Sequence, residues 1–200
     1  MPLPPFTPAA PANIRDAFDD DDYIFELKMD GFRALAHVGP DQTRLVSRRG
    51  NVYKRFTELA AGIHIELDCE AVLDGEIVCL DANGRPQFYD LQRRRGTPVF
   101  YAFDLLWFDG EDLRSRPLVE RKRLLQSIVP AQPSVLMYAE HIERSGVEFF
   151  RLACEQDLEG IVAKAKRGAY GEKWFKIRNP NYSQYEGWGE LFERKRVSRA

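Results

Sequence analysis

Residues 26–33, with the sequence Glu-Leu-Lys-Met-Asp-Gly-Phe-Arg, constrain the fold of this chain more than any other stretch. Residues 23–27 are predicted to form a buried strand, because a single acid interrupts a run of apolar and aromatic residues. Asp30 and Gly31 then predict a tight turn, since glycine tolerates positive φ and aspartate can bond its own backbone. Residues 32–36 resume as a second strand.

Lys28 lies where the first of these strands ends and the turn begins. Lysine amines form covalent intermediates when their surroundings lower the amine pKa or otherwise activate it. A lysine at such a junction, with an acid before it and Arg33 after it, is a candidate covalent nucleophile. The alternative is a surface hairpin in which Lys28 and Arg33 are solvated.

The composition limits the classes of protein to which the chain can belong. Its 200 residues are enough for one sizeable domain, or for one domain with a small appendage. The net charge of −2 means that any phosphate contacts must come from local clusters. Three widely spread cysteines favour a reducing compartment, and hence the cytoplasm, over a disulfide framework. No stretch approaches the ~20 apolar residues that span a membrane.

The composition also divides the chain into three parts. Residues 1–22, rich in Pro and Ala and then acidic, are predicted as a flexible segment, with residues 19–22 in a solvated turn. Residues 23–178 are predicted as the main domain. Residues 179–200 are predicted as a short helical tail.

Two short blocks in the first half of the domain combine glycine with charged residues. Residues 47–50 read Ser-Arg-Arg-Gly, which is either a charged β-turn or a site that uses Arg48, with Arg49 as its substitute. Residues 71–78 are predicted as strand, turn and strand, with Glu76 following the glycine of the turn.

Two strand predictions carry chemically notable side chains. Residues 99–106 form a strongly apolar strand in which Asp104 needs a partner, since a lone buried carboxylate is costly. Phe103 in the same strand is either a core residue or part of a site. Residues 174–178 alternate strictly, which places Lys176 and Arg178 on one face.

Together with Glu-Gly-Ile-Val-Ala-Lys at residues 159–164, these blocks resemble, in order, the motifs of the nucleotidyltransferase superfamily. That superfamily comprises ATP-dependent DNA ligases, RNA ligases and mRNA capping enzymes, and Lys-x-Asp-Gly-x-Arg at residues 28–33 is similar to its first motif. The sequences of residues 103–110 and 159–164 most resemble those of bacterial ATP-dependent DNA ligases, in particular the modules that accompany end-joining repair polymerases. The resemblance implies an α+β, ATP-grasp-like fold with antiparallel sheets packed with helices.

The resemblance also implies roles for particular residues. Lys28 would carry the nucleotidyl group, while Lys176 and Arg178 would hold the α-phosphate, with arginine in place of the usual second lysine. Glu76 and Glu159 would bind Mg²⁺ or Mn²⁺. The side chains implied to bind ATP are Glu26, Arg33, Arg48, Glu76, Phe103 and Lys164.

The reaction that these roles imply is adenylyl transfer. A free lysine titrates near ~10.4, so the site must deprotonate Lys28 at neutral pH. The Phe103 ring would stack on the purine. Glu26, an acceptor-only side chain, would accept a hydrogen bond from the adenine amino group but pair poorly with the guanine carbonyl, which favours ATP over GTP. The AMP would pass to the 5′-phosphate at a DNA nick, and the 3′-hydroxyl would then seal the strand.

One departure from the family pattern concerns the OB-fold domain that usually follows the last motif. The 22 residues after Arg178 cannot form its five-stranded barrel. Tyr185, Trp188 and Phe192 recur at helical spacing and predict a helix that docks on the domain. We therefore expect slow adenylation by the chain alone, stimulated by a separate OB-fold or DNA-end-binding protein.

Nicked double-stranded DNA is the partner that the resemblance implies. An RNA ligase or capping-type enzyme on the same scaffold is one alternative, and a non-catalytic nucleotide or DNA-end binding module is another. The second is disfavoured because Lys28, Glu76, Glu159 and Lys176 are all present. Candidate DNA contacts are Arg48, Arg49, Arg93, Arg94, Arg95, Arg194, Lys195 and Arg196.

Overall fold

A computed structural model of the protein describes residues 6–185. Within that range the chain forms two β-sheets, and no helix there is long and apolar enough to cross a membrane. The strands are β1 (Ala12–Ile14), β2 (Asp20–Leu27), β3 (Phe32–Val38), β4 (Thr43–Ser47), β5 (Ala71–Cys79), β6 (Pro98–Phe108), β7 (Glu111–Asp112), β8 (Leu136–Tyr138), β9 (His141–Arg144), β10 (Gly160–Ala165) and β11 (Trp174–Arg178). The helices are α1 (Thr57–Glu66), α2 (Phe88–Gln92), α3 (Leu118–Ile128) and α4 (Gly146–Glu155), with 3-10 helices at Lys54–Phe56 and Ser183–Tyr185.

The two sheets are mostly antiparallel. The first has the strand order β1, β11, β10, β2, β9, and only the β1–β11 pair in it is parallel. The second has the order β4, β3, β5, β6, β7, with β8 added in parallel to β6. This arrangement of antiparallel sheets with helices confirms the predicted α+β class.

Apolar side chains cover one face of each sheet with helices. Phe25 of β2 and Ile161 of β10 pack with Ala153 of α4. A larger core joins α1 and α3 to the second sheet, with Ile63 of α1 and Leu125 of α3 buried in it. Because each sheet is apolar toward its helices, the charged side chains on the opposite faces are left to meet between the sheets.

The chain crosses from one sheet to the other at residues 28–31. β2 belongs to the first sheet and β3 to the second, so the alternative of a surface hairpin is wrong. Gly31 does not adopt a positive φ, which corrects the prediction for this turn. It is required instead because a Cβ atom would lie 2.1 Å from the carbonyl oxygen of Ile77. The Asp30 carboxylate accepts a hydrogen bond from the Tyr182 hydroxyl, not from its own backbone.

The predicted turn within residues 71–78 is also wrong. β5 runs through this stretch without a break, although its register against β6 shifts at Gly75. A Cβ atom on Gly75 would lie 2.4 Å from the Tyr101 carbonyl oxygen and 2.5 Å from Phe100 Cζ. The glycine therefore permits a close approach of two strands and does not reverse the chain.

The N-terminal segment differs from its prediction as well. Part of the acidic run lies in β2 and not in a turn, because Asp20 pairs with Arg144 of β9 across the sheet edge. β1 pairs with β11, and the Ala9 amide donates a hydrogen bond of 2.9 Å to the Tyr170 hydroxyl. Residues 6–22 thus pack against the domain. The helix predicted in the tail lies mostly outside the described residues, of which Ser183–Tyr185 form a 3-10 helix.

We predict that Gly75→Ala lowers the free energy of unfolding by about 3 kcal/mol, because β5 and β6 must separate to admit the methyl group. Urea denaturation followed by circular dichroism measures the change. Gly39→Ala is the matched control, since its Cβ atom would lie 3.5 Å from the Gln42 carbonyl oxygen, an ordinary contact. Equal denaturation midpoints for the two variants would contradict the role given to Gly75.

Candidate active site

A cavity lies between the charged faces of the two sheets, next to the crossing at residues 28–31. Its walls come from β2, β10 and β11 of the first sheet and from β3, β5 and β6 of the second. The structure brings all of the predicted catalytic and nucleotide-binding side chains to this cavity, although their individual roles stay predictions. These are Glu26, Lys28, Arg33, Arg48, Glu76, Phe103, Lys164, Lys176 and Arg178.

Strand register explains how the first sheet supplies its half of the cavity. Glu26 of β2 lies opposite Val162 of β10, which lies opposite Lys176 of β11. Because side chains alternate along a strand, Trp174, Lys176 and Arg178 project from the same face of β11. All three line the cavity, so the predicted shared face of the two cations is confirmed.

A second row of residues crosses the other sheet. Arg33 of β3 lies opposite Glu76 of β5, and Glu76 lies opposite Tyr101 of β6. Phe103 follows two residues after Tyr101 and lines the same cavity. Cations and carboxylates from both sheets therefore face one another across the space between them.

Lys28 lies at the mouth of the cavity with its side chain 20% exposed. Its amine nitrogen is 2.5 Å from Oε2 of Glu159, and its backbone amide donates to the Gly160 carbonyl at 2.9 Å. Gly160 has a φ of +137°, and a Cβ atom there would lie 2.1 Å from the Ile177 carbonyl oxygen. The Glu-Gly pair thus lets the chain pass close to β11 while Glu159 reaches the lysine amine.

Glu26 is buried between two lysines. One carboxylate oxygen is 2.6 Å from the Lys122 ammonium and the other is 2.6 Å from the Lys164 ammonium. Burial alone would raise the pKa of Glu26, but the two ammonium groups outweigh it and hold that pKa below its ordinary value. The side chain therefore remains an ionised acceptor at the cavity wall.

Lys122 was not predicted as a site residue, although the sequence holds a signal for it. Its ammonium also donates to the Ala139 carbonyl at 2.7 Å and lies 4.3 Å from the centre of the Tyr138 ring. In α3 the buried positions are Leu118, Arg121, Lys122 and Leu125, which share one face of the helix. Two cations within an apolar helix face indicate buried acidic partners elsewhere in the chain.

Lys164 is enclosed within the wall. Its ammonium lies 4.3 Å from the ring centres of both Phe103 and Trp174, in addition to its contact with Glu26. Burial lowers the pKa of Lys164, and Lys122 lowers it further against the opposing effect of Glu26. The Phe103 ring is thus already in contact with a cation on the cavity wall.

Arg33 is oriented by a carboxylate that was not among the predicted site residues. Its Nε and Nη2 atoms lie 2.5 and 2.6 Å from the two oxygens of the fully buried Asp74. The Tyr170 hydroxyl donates to the same carboxylate, and the Arg33 guanidinium lies 4.6 Å from the centre of the Phe103 ring. This bidentate pair fixes the plane of the guanidinium against the aromatic wall.

Glu76 and Glu159 are the carboxylates that the sequence indicates for a divalent cation. Burial raises the pKa of Glu76 to about 8, against the lowering effect of Arg33 and Lys28, and Glu159 raises it further. The described residues contain no group of three or more His, Cys, Asp or Glu side chains placed to hold a metal. Two carboxylates fit a magnesium ion only where phosphate oxygens and water complete its ligands.

The side of the cavity around Lys176 is cationic. Burial lowers the pKa of Lys176, and Arg178, Lys28 and Arg48 lower it further, with Glu159 opposing them. Cations that disfavour one another's charge are stabilised by an anion placed between them. This side of the cavity therefore favours a phosphate group.

Three comparisons relate this architecture to known proteins. Residues 7–178 match the family model described as "ATP dependent DNA ligase domain". The chain is 32% identical to the SPbeta prophage-derived DNA ligase-like protein LigB of Bacillus subtilis, over 86% of this chain and 67% of that protein. It is 36% identical to the multifunctional non-homologous end joining DNA repair protein LigD of Mycobacterium tuberculosis, over 74% of this chain but 20% of that protein.

A solved structure, mycobacterial DNA ligase D complexed with ATP, superposes with a TM-score of 0.72 at 29% identity. The superposition covers 86% of this chain and 60% of that one, so the chain spans only part of these relatives. The family model covers most of the described residues, including both sheets and every strand of the cavity. The chain therefore belongs to the ATP-dependent DNA ligase domain family and has the nucleotidyltransferase fold of these ATP-using enzymes.

Proposed function

We propose that Lys28 attacks the α-phosphorus of ATP, releases pyrophosphate and carries the AMP as a lysyl adduct. The observation that carries this proposal is the Lys28 amine at the mouth of the cavity, held 2.5 Å from Glu159. Lys176 and Arg178 line the same cavity. An amine beside paired cations matches the needs of a phosphoryl displacement, in which charge develops on the transferred group.

The charged groups around Lys28 have different roles in this step. Lys176 and Arg178 hold the α-phosphate. Glu159 orients the amine. Glu76 and Glu159 would hold Mg²⁺, or Mn²⁺, which would supply positive charge to balance the charge of the phosphates.

The base and the ribose occupy the inner part of the cavity. Glu26 stays ionised between Lys122 and Lys164 and accepts a hydrogen bond from the adenine amino group. Phe103 stacks on the purine ring, and Arg33, held by Asp74, contacts the ribose or a phosphate. These contacts make the site selective for ATP over GTP.

The adduct then transfers AMP to the 5′-phosphate at a nick in double-stranded DNA, and the 3′-hydroxyl displaces AMP to seal the strand. DNA is favoured over RNA because the matching relatives are named as DNA ligases and as an end joining DNA repair protein. The chain spans 20% of the M. tuberculosis relative. We include in this proposal a separate OB-fold or DNA-end-binding protein that stimulates complete sealing.

We predict that Lys28→Ala abolishes covalent labelling by radioactive ATP in the presence of magnesium, because the amine that forms the phosphoramidate bond is gone. Labelling is measured after denaturing electrophoresis, and the melting temperature should stay within a few degrees of the wild type. Lys54→Ala is the control, since Lys54 is an exposed lysine of a 3-10 helix outside the cavity. Labelling of Lys28→Ala on the same peptide would show that another residue is the nucleophile.

We predict that ATP labels the wild type at least about tenfold faster than GTP, and that Glu26→Gln narrows this ratio. A glutamine can donate to the guanine carbonyl, whereas a carboxylate can only accept. The measurement is the initial rate of adduct formation with each nucleotide, together with the melting temperature of the variant. Equal rates with both nucleotides in the wild type would refute the role of Glu26.

We predict that binding to nicked DNA is weak and falls by more than about tenfold between 50 and 200 mM salt, because local arginines displace counterions from phosphates. Among the described residues, the exposed candidates are Arg48, Arg49, Arg93, Arg94 and Arg95. Fluorescence anisotropy of a labelled nicked duplex measures how steeply the DNA affinity falls with salt concentration. The double substitution Arg94→Gln and Arg95→Gln should make this fall less steep.

The control for these arginines is Arg151→Gln on α4. Arg151 is exposed but paired with Glu148 and Glu155 on the same helix, so its charge is already balanced. We expect the DNA affinity of this variant to fall with salt concentration as steeply as that of the wild type. An affinity that does not change with salt in the wild type would exclude the arginine contacts.

A further inference from the structure

The segment that follows β11 is bonded to the loop that carries Glu159. The Asn179 amide donates to the Glu159 carbonyl at 2.9 Å, and its side-chain Nδ2 donates to the Leu158 carbonyl at 3.0 Å. The Ser183 amide donates to the Asp157 carboxylate at 2.9 Å. The residues of this segment that make the contacts follow residue 178, where the match to the family model ends.

The C-terminal end of the same segment is bonded to residues 86–89, which follow β5 of the second sheet. The Gln184 side chain accepts from the Phe88 amide at 3.0 Å and donates to the Pro86 carbonyl at 3.0 Å. The Tyr89 hydroxyl donates to the Gln184 carbonyl at 3.2 Å. Residues 179–184 are therefore held at both ends, and Tyr182 lies between the two sets of contacts.

Tyr182 reaches from this segment to the crossing between the sheets. Its hydroxyl donates to Oδ2 of Asp30 at 3.1 Å, and the two residues are only 4% and 6% exposed. Asp30 follows Lys28 by two residues, and Gly31 is pressed against the Ile77 carbonyl. The crossing is thus held by contacts of Lys28 and Gly31 with the two sheets and by the Tyr182 hydrogen bond to Asp30.

We infer that Tyr182 is a positioning residue for Lys28: its hydroxyl holds the Asp30 carboxylate, and thereby holds residues 28–31 so that the amine meets the α-phosphorus. This inference rests on the proposed adenylyl transfer at Lys28. The side chains proposed to hold ATP project mainly from strands and not from this crossing. Loss of the hydroxyl should therefore slow the chemical step and leave ATP affinity nearly unchanged.

The test is the single-turnover rate of lysyl-AMP formation in Tyr182→Phe, measured over a range of ATP concentrations. We expect a maximal rate about tenfold lower than the wild type, with half-saturating ATP changed by less than about twofold. Tyr89→Phe is the matched control, because it removes a hydroxyl that bonds the same segment without touching Asp30. Its rate should equal that of the wild type.

A double-mutant cycle separates positioning from a general loss of stability. Asp30→Ala removes the acceptor, so adding Tyr182→Phe to it should slow the reaction by less than about twofold further. All four proteins are assayed well below the lowest of their melting temperatures, so that a lower stability of Tyr182→Phe does not affect the rates.

The outcomes distinguish this inference from the proposed function. A wild type that forms no adduct would remove the proposed function itself. A labelling wild type with an equally fast Tyr182→Phe variant would overturn only the role of Tyr182. The role of Tyr182 would also be overturned if the two substitutions lowered the rate independently, so that their effects multiplied. A loss of ATP affinity without a loss of maximal rate would overturn it as well.

Discussion

Ionised side chains meet between the two sheets, and each must be paired before it can be buried. An unpaired charge removed from water costs several kcal/mol. Two neighbouring residues of α3 meet this requirement: Arg121 lies 2.8 Å from the buried Asp104 of the second sheet, and Lys122 lies 2.6 Å from Glu26 of the first. One helix thereby ties the charged faces of both sheets. Paired charges therefore share the cavity walls with the aromatic rings of Phe103 and Trp174.

Local patterns were sufficient to predict where most strands lie, but not how they meet. The alternation in Trp174–Arg178 and the apolar run within Pro98–Phe108 gave strands in the expected places. Gly31 and Gly75 were interpreted as turn residues because glycine is common in turns, whereas both are required by a close approach to backbone distant in sequence. Such a contact depends on the tertiary fold, so no local pattern shows it.

The candidate site was more predictable than the network that supports it. Side chains that face the cavity recur at alternate positions of short motifs, and their resemblance to a known family marked them individually. Lys122 bonds Glu26 and Asp74 bonds Arg33, while Tyr182 bonds Asp30 at the crossing, and none of these three supporting residues was predicted. Asp104 in an apolar strand was predicted to need a partner, but identifying Arg121 as that partner needs the relative placement of α3 and the sheets.

The N-terminal segment forms part of the cavity wall and is held there by main-chain hydrogen bonds of Ala9. Ala9, Ala10 and Pro11 line the cavity, and the Ala9 amide and carbonyl bond the Tyr170 hydroxyl and the Arg33 guanidinium. The methyl group of Ala9 also lies 2.7 Å from where a Cβ atom of Gly171 would stand. A segment held by bonds to its peptide groups has a restricted path, while most of its side chains remain free to vary. Related proteins can therefore keep the shape of this wall with little identity in its sequence, and motif comparison alone would place the start of the domain too late.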